Sequence, residues 1–394
     1  MKIVALLEQD VFSGGGFNQS LNAILQMQCI CAHRFEFAVA TTIESNIAEL
    51  DKLGISACLV KITWSDRILA AINTNPFWLW LQERFQFVGK LEKQFMRLGT
   101  DIVYFLSPSP RALAMQKLVY IITVWDLCHR DAVEFPEVRI FGEYQRREYF
   151  YRNALPSAAI ILADSETLAR KIAFRYGVDD ERIIPMPFAP AVGMDKSSDA
   201  DLGKVMRKYQ LETGYFFYPA QFWPHKNHAR IIESLLYLRD NDFPAVKIVF
   251  VGSDKGHQSK IVSMVKDAGL DDYVRFLGFV PHEDMAGLYQ GARAVIMPSY
   301  FGPTNIPPLE AWKQGVSLIY SSYFHAQVNN AGLLVDPDDA FSLADAIKQC
   351  FNHEVTEQLI KNGYERLRSI DEERLQAEQV LLKALCKLEK RQHC

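Results

Sequence analysis

Met297-Pro298-Ser299-Tyr300-Phe301-Gly302-Pro303-Thr304-Asn305-Ile306-Pro307-Pro308-Leu309-Glu310-Ala311-Trp312 closes one apolar run and opens another. The run before it, Ala294–Met297, is short and bare of polar residues. Such a run suits a strand buried on both faces of a parallel sheet. Pro307 and Pro308 fit the first turn of a helix, where a missing N–H costs little. Thr304 or Asn305 can cap that helix. The stretch therefore reads strand, loop, helix. Amides around Thr304–Ile306 would then point at an anion. Glu310 would lie in the first helical turn, where it can accept two hydrogen bonds from a ribose diol. The blander reading gives Glu310 a capping-box or dipole role.

The same texture extends in both directions. Downstream, Leu318–Tyr320 and Leu333–Val335 read as strands; upstream, so do Tyr215–Tyr218, Val246–Val251 and Val274–Leu277. Helical spacing fills Asn227–Arg239, His257–Ala268, Glu283–Gln290, Pro307–Gln314 and Ala340–Phe351. Further upstream the alternation repeats with strands at Ile3–Leu7, Phe35–Ala40, Ile102–Leu106, Val119–Val124 and Ala158–Ala163, and a helix over Ser165–Tyr176. Between the two arrays lies Ile184–Pro190, whose prolines at 185, 187 and 190 make a stiff connector. Asp195–Asp201 reads as an exposed polar loop. The expected fold class is α/β: two doubly wound Rossmann-like domains facing across a cleft. Ligands bind at the carboxyl ends of the strands in such sheets. The expected domains are 1–190, 191–360, and a charged helix over 361–394 that returns to the first.

Composition agrees. The chain has 394 residues, room for two or three domains. Lys+Arg number 43 against 47 Asp+Glu, which argues against a nucleic-acid binder. The seven cysteines include no CxxC pair, so a disulfide framework or zinc site is not expected. The first apolar run stops at Glu8, too short for a signal peptide, and no run reaches the ~18 apolar residues of a spanning helix.

Two more loops follow strands. Gly14-Gly15-Gly16 lets backbone N–H groups approach a ligand closely. It lacks the GxGxxG spacing of a nicotinamide-cofactor site, and its bland reading is a flexible turn. Trp223-Pro224-His225-Lys226-Asn227-His228 places a lysine where a helix opens. Lysine and helix N-terminus together can meet a phosphate. A lone lysine there would more often be a solvated surface residue.

The order and spacing of Trp223–His228, Phe276–His282, Pro298–Phe301 and Pro307–Ala311 resemble the donor-binding half of the GT4-type glycosyltransferases, which have the GT-B fold. The resemblance covers Tyr215–Asp336. It implies a retaining, metal-independent, hexosyltransferase-like enzyme. The donor would be a nucleotide-diphosphate sugar, with no other cofactor. The acceptor would be a glycan or lipid-linked molecule in cell-surface polysaccharide or lipopolysaccharide (O-antigen) assembly. On that model Lys226, with His225, and the backbone of Thr304, Asn305 and Ile306 contact the diphosphate. Glu310 holds the ribose, while Gly252, Ser253, Phe279 and Val280 border the base. Gly15 and Gly16 close over the diphosphate. Asp126 and His129 are polar candidates for the reacting centre.

Three departures stand out. Gly302 occupies the place of the family's first glutamate. Gln221 and Ala220 stand where an arginine is usual, so Lys226 needs help from His225 or Arg230. Trp125-Asp126 replaces the usual His-Asp pair, with His129 three residues on. Rival readings are a nucleotide-sugar epimerase of GT-B fold and a non-catalytic scaffold. Phe77–Leu81 is strongly apolar with Arg84, Lys90, Lys93 and Arg97 nearby. It reads as a buried helix start or as a peripheral contact with a membrane. The expected location is the cytoplasm, at the inner face of the cell membrane if that contact forms.

Overall fold

The bare apolar runs become parallel strands. The computed structural model of the protein describes residues 1–11, 14–72, 88–194, 199–244 and 246–392. Among them, the first sheet contains β1 (Lys2–Leu7), β2 (Glu36–Thr41), β3 (Ala57–Leu59), β4 (Ile102–Phe105), β5 (Val119–Val124), β6 (Ile160–Ala163) and β7 (Ile183–Pro185), ordered β3-β2-β1-β4-β5-β6-β7. The second contains β8 (Tyr215–Pro219), β9 (Ile248–Val251), β10 (Val274–Phe276), β11 (Ala292–Met297), β12 (Ser317–Ser321) and β13 (Leu333–Val335), ordered β10-β9-β8-β11-β12-β13. Every pairing is parallel. Each sheet reverses its order once, between β1 and β4 and between β8 and β11. At those points two neighbouring loops splay apart and leave room for a ligand.

Helices on both faces explain why the strands need no polar face. Ile3, Val4, Ala5 and Leu7 of β1 are fully buried, as are Ala294, Val295 and Ile296 of β11. Each large aliphatic side chain so placed contributes about 1.5–3 kcal/mol.

The chain forms two compact units. One comprises Met1–His129, Gly142–Phe188 and Glu372–Cys394; the other comprises Arg130–Phe141 and Ala189–Asp371. The long helix His353–Gln392 thus contributes to both. Its distal part is tied into the first unit by Gln26 Nε2 donating to Glu378 Oε1 at 2.8 Å and by an Arg34–Glu389 ion pair at 2.9 Å.

Several local expectations need correction. Ile184 and Pro185, expected as the start of the connector, belong to the edge strand β7 (Ile183–Pro185), which tolerates its proline because one side of an edge has no ladder partner. Of the polar stretch Asp195–Asp201, expected as a loop, residues 195–198 lie outside the described residues, and Asp199–Asp201 instead open a helix that runs to Tyr209. Strand β3 has only three residues, Ala57-Cys58-Leu59, too few to show a period. The Phe77–Leu81 stretch lies outside the described residues. No helix among the described residues is long and apolar enough to cross a membrane.

Candidate functional site

In the second unit, the loops after β8 and β11 meet at the point where strand order reverses. The loop after β8 makes a tight turn at Pro224–Lys226 and passes through Asn227 in the left-handed conformation (φ 59°) before the helix His228–Asp240. Asparagine tolerates that backbone better than most residues. Its buried side chain donates to Pro298 O (3.0 Å) and Pro337 O (2.8 Å), tying this loop to the loops after β11 and β13. Tyr218 Oη donates to Lys226 O at 2.6 Å, and Tyr300 N donates to His225 O at 2.9 Å. The main chain at 225–226 is therefore held from both sides, and Lys226 Nζ donates to Asn305 Oδ1 at 3.2 Å.

Asn305 precedes the helix Ile306–Gln314, but its side chain does not cap it. It is turned instead between Lys226 and Tyr320, donating to Tyr320 Oη at 2.5 Å, while Gln327 Nε2 donates to Asn305 O at 2.9 Å. Pro307 and Pro308 sit in the first turn as expected. Because the helix starts at Ile306, Glu310 falls in the second turn rather than the first, so the capping-box reading of Glu310 is excluded. Glu310 is buried and accepts from Tyr289 Oη at 2.5 Å. Burial pushes its carboxyl above the ordinary range, against the opposing hydrogen bond from Tyr289.

The loops after β9 and β10 border this region. Gly252 N donates to Gly278 O at 2.9 Å, and Phe222 N donates to Ser253 O at 3.1 Å. Ser253 is half-buried, Val280 is buried, and Phe279 exposes 55% of its surface. Gly302 has a φ of 148°, and a Cβ there would stand 3.7 Å from Lys226 Nζ. The position expected to carry a glutamate thus borders the lysine ammonium.

Of the two helpers anticipated for Lys226, Arg230 is committed elsewhere. Its Nε donates to Pro337 O at 3.1 Å and its Nη1 to Glu233 at 2.6 Å. His225 is stacked on Phe301, with ring centroids 4.1 Å apart. Its N (3.0 Å) and Nδ1 (2.5 Å) both meet Glu137 Oε1. Glu137 belongs to the Arg130–Phe141 segment, whose Phe135 packs on Tyr300 and Phe301. Sequence reading did not reach Glu137, which stands 88 residues from His225.

His228 has no solvent exposure and is packed among Tyr218, Phe222 and Phe250. Burial pushes its imidazole down to about 3. The folded state then resists a proton that the unfolded chain accepts below about 6.5. Stability at this position is fully present above pH 6.5 and is lost as pH falls towards 3. The melting temperature of the wild type should drop more steeply from pH 7 to pH 5 than that of His228→Phe. Parallel curves would contradict the assignment.

In the first unit, Gly14 (φ 64°) leads into the helix Gly15–Cys31, which opens with no side-chain cap. Gly15 is exposed and Gly16 half-buried. A Cβ on Gly16 would touch Trp125 at 3.4 Å, so the indole packs against this turn. Ser20 Oγ and Ser107 Oγ, bonded to Gln9 at 3.1 and 2.8 Å, brace the loop after β1. Asp126 Oδ1 accepts from Arg147 Nη1 (3.1 Å) and Cys128 N (3.0 Å). His129 is fully buried, stacked on Tyr151, with Nε2 3.2 Å from Glu148 Oε2 and 3.4 Å from Tyr176 Oη. Burial holds its imidazole below the ordinary value despite Glu148. Its ring is therefore enclosed within the unit, and Asp126 is the more accessible of the pair.

Residues 206–366 match the family described as Glycosyl transferases group 1. The chain is 27% identical over 217 residues to O-antigen chain mannosyltransferase B of Escherichia coli, covering 54% of this chain and 57% of that one. It is 30% identical over 190 residues to O-antigen chain mannosyltransferase RfbU of Salmonella typhimurium (strain LT2), covering 48% and 50%. It thus spans about half the length of these curated relatives. Among solved structures, Anabaena Alr3699/HepE in complex with UDP-glucose matches at a TM-score of 0.74 and 16% identity, over 97% of this chain and 99% of that one. WaaG, a glycosyltransferase involved in lipopolysaccharide biosynthesis, matches at 0.68 and 14%, over 96% and 99%. The fold class is that of the GT-B glycosyltransferases, with two doubly wound Rossmann-like units.

Proposed function

We propose that this chain, whose residues 206–366 match the glycosyl transferases group 1 family, moves a sugar from a nucleotide-diphosphate sugar to a glycan or lipid-linked acceptor in O-antigen or lipopolysaccharide assembly. The observation that carries the reading is the meeting of Lys226 and Asn305 at the strand-order reversal between β8 and β11. An ammonium and the opening of the helix Ile306–Gln314 converge there, which suits a diphosphate. Glu310, deeper in the same helix, would take the ribose hydroxyls, and Phe279 would cover the base. Gly252, Ser253 and Val280 would border it, and Gly15 and Gly16 would approach the phosphates.

The reaction we propose proceeds with retention and without a metal ion. The bond between the anomeric carbon and the diphosphate oxygen breaks, and its electron pair stays on that oxygen. The acceptor hydroxyl oxygen bonds the anomeric carbon on the same face, and its proton passes to the departing diphosphate. The protein's share is then to stabilise the charge that grows on the diphosphate and to orient the acceptor. We assign Asp126 to the acceptor side of the reaction and His129 to positioning it through the 126–129 turn. We propose a cytoplasmic location, from which a lipid-linked acceptor would bring the enzyme to the inner face of the cell membrane. The test is incubation with UDP- and GDP-sugars and a lipid-linked acceptor, with NMR of the new anomeric centre. Transfer with retention, undiminished by EDTA, is expected. Inversion, or a loss restored by magnesium, would contradict the mechanism, and isomerised donor without acceptor would mark an epimerase.

Glu310→Gln should raise the donor KM about five- to ten-fold with kcat little changed. The ribose contact exchanges a charge-assisted hydrogen bond for a neutral one, and does so equally in ground and transition states. A fall in kcat with an unchanged KM would remove Glu310 from the ribose.

A further inference from the structure

A diphosphate carries more negative charge than one ammonium offsets, and at this site Arg230 is already paired with Glu233 while Gln221 Oε1 accepts from Trp223 Nε1 at 3.1 Å. Given the donor site proposed above, we infer that Glu137 and His225 act as a dyad, with Glu137 orienting His225 and favouring its protonated form so that the imidazole contributes a second positive group for the diphosphate. Glu137 is then a positioning residue, acting through His225.

The geometry supplies the reasons. Glu137 Oε1 lies 2.5 Å from His225 Nδ1 and 3.0 Å from His225 N, which fixes Nδ1 as a protonated nitrogen. With Nδ1–H so engaged, only the doubly protonated ring can also donate from Nε2, and a buried carboxylate stabilises that form. The Phe301 ring, stacked at 4.1 Å and 17°, sets the plane of the imidazole. Phe301 adjoins Gly302 and the loop to Asn305, the residue that Lys226 contacts, so the dyad is built into the same loop as the lysine. Tyr300 N, donating to His225 O at 2.9 Å, locks the main chain there. Burial alone would push the Glu137 carboxyl up; the hydrogen bonds from His225 outweigh it and hold it below its ordinary range. Other ionisable groups around the dyad are Lys226, His228 and His257, the last of which senses the Glu137 charge.

Neither the sequence pattern nor the family likeness brings Glu137 forward. It enters because the Arg130–Phe141 segment packs with the second unit, where Phe135 rests on Tyr300 and Phe301.

The test compares nucleoside diphosphate with monophosphate, using UDP against UMP and GDP against GMP, by calorimetric titration of the full chain. Glu137→Gln keeps the shape of the side chain and an acceptor for Nδ1–H but removes the charge. Glu137→Gln and His225→Gln should each lower the diphosphate-to-monophosphate affinity ratio about ten-fold. The double variant should bind no more weakly than His225→Gln, because Glu137 acts through the ring. An unchanged ratio in either variant, equal losses for both nucleotides, or losses that multiply in the double variant would overturn the dyad. Lys226→Ala separates this failure from that of the donor site. A diphosphate preference that depends on Lys226 but not on His225 or Glu137 rejects the dyad alone, whereas a wild type that prefers neither diphosphate rejects the donor site itself.

Discussion

Lys226→Ala should lower kcat about a hundred- to a thousand-fold, with a smaller rise in donor KM. The departing diphosphate gains charge as the glycosidic bond breaks, so a cation beside it binds the transition state more tightly than the ground state. Removing one preorganised donor of this kind typically costs that much in rate. The structure explains why the loss should be electrostatic rather than structural. Lys226 is half-buried, and its main chain is fixed by Tyr218 Oη on Lys226 O and by Tyr300 N on His225 O, contacts that alanine keeps. Asn305 Oδ1 loses a partner, but its amide remains bonded to Tyr320. The melting temperature should therefore change little. Lys226→Arg should recover only part of the activity, because a planar fork does not reproduce a compact ammonium at the same point. Near-wild-type kcat/KM in folded Lys226→Ala would end the proposed donor site.

Much of this was legible in the residues, for identifiable reasons. Strands β1, β4, β5, β6, β8, β9, β11 and β12 are buried on both faces over most of their length, and burial of that kind leaves bare runs such as Ile102–Phe105 and Ile248–Val251. Pro307-Pro308 announced a helix start. What did not show was long-range pairing. Asn305 read as a cap, yet its side chain serves Lys226 and Tyr320, because residues 15 and 79 positions away compete for it and win over the local amide. Glu310 read as a first-turn acid, but the helix starts at Ile306, and its partner Tyr289 sits on another helix. His129 read as a polar candidate for the reacting centre, and only the packing of Tyr151, Tyr176 and Glu148 around it reveals how deeply it is enclosed. Nothing local distinguishes Arg130–Phe141 from the rest of its array, although it packs with the other unit.

Gly252→Ala should destabilise the second unit by about 3 kcal/mol or more and abolish donor binding with it. Gly252 has a φ of 155°, strained for any residue with a Cβ. The greater obstacle is space. A Cβ would lie 2.3 Å from Ala220 O, 2.6 Å from Ala220 C and 2.8 Å from Gln221 Cα. All three are backbone atoms, so no side-chain rotation relieves the overlap, and either the loop after β9 or the one after β8 must move. Those loops are joined by Phe222 N donating to Ser253 O and by the pairing of Phe222 with Asp254. A shift there travels along Phe222–Pro224 to His225 and Lys226, so stability and donor binding should fail together. At this unit's size the loss corresponds to roughly 6–12 °C in Tm. Gly278→Ala is the contrast: its φ of 67° also disfavours a Cβ, but nothing lies within 4 Å of that position. It should cost only about 1 kcal/mol and leave donor affinity largely intact. Equal melting temperatures for Gly252→Ala and Gly278→Ala would show that the two loops do not press together at Gly252.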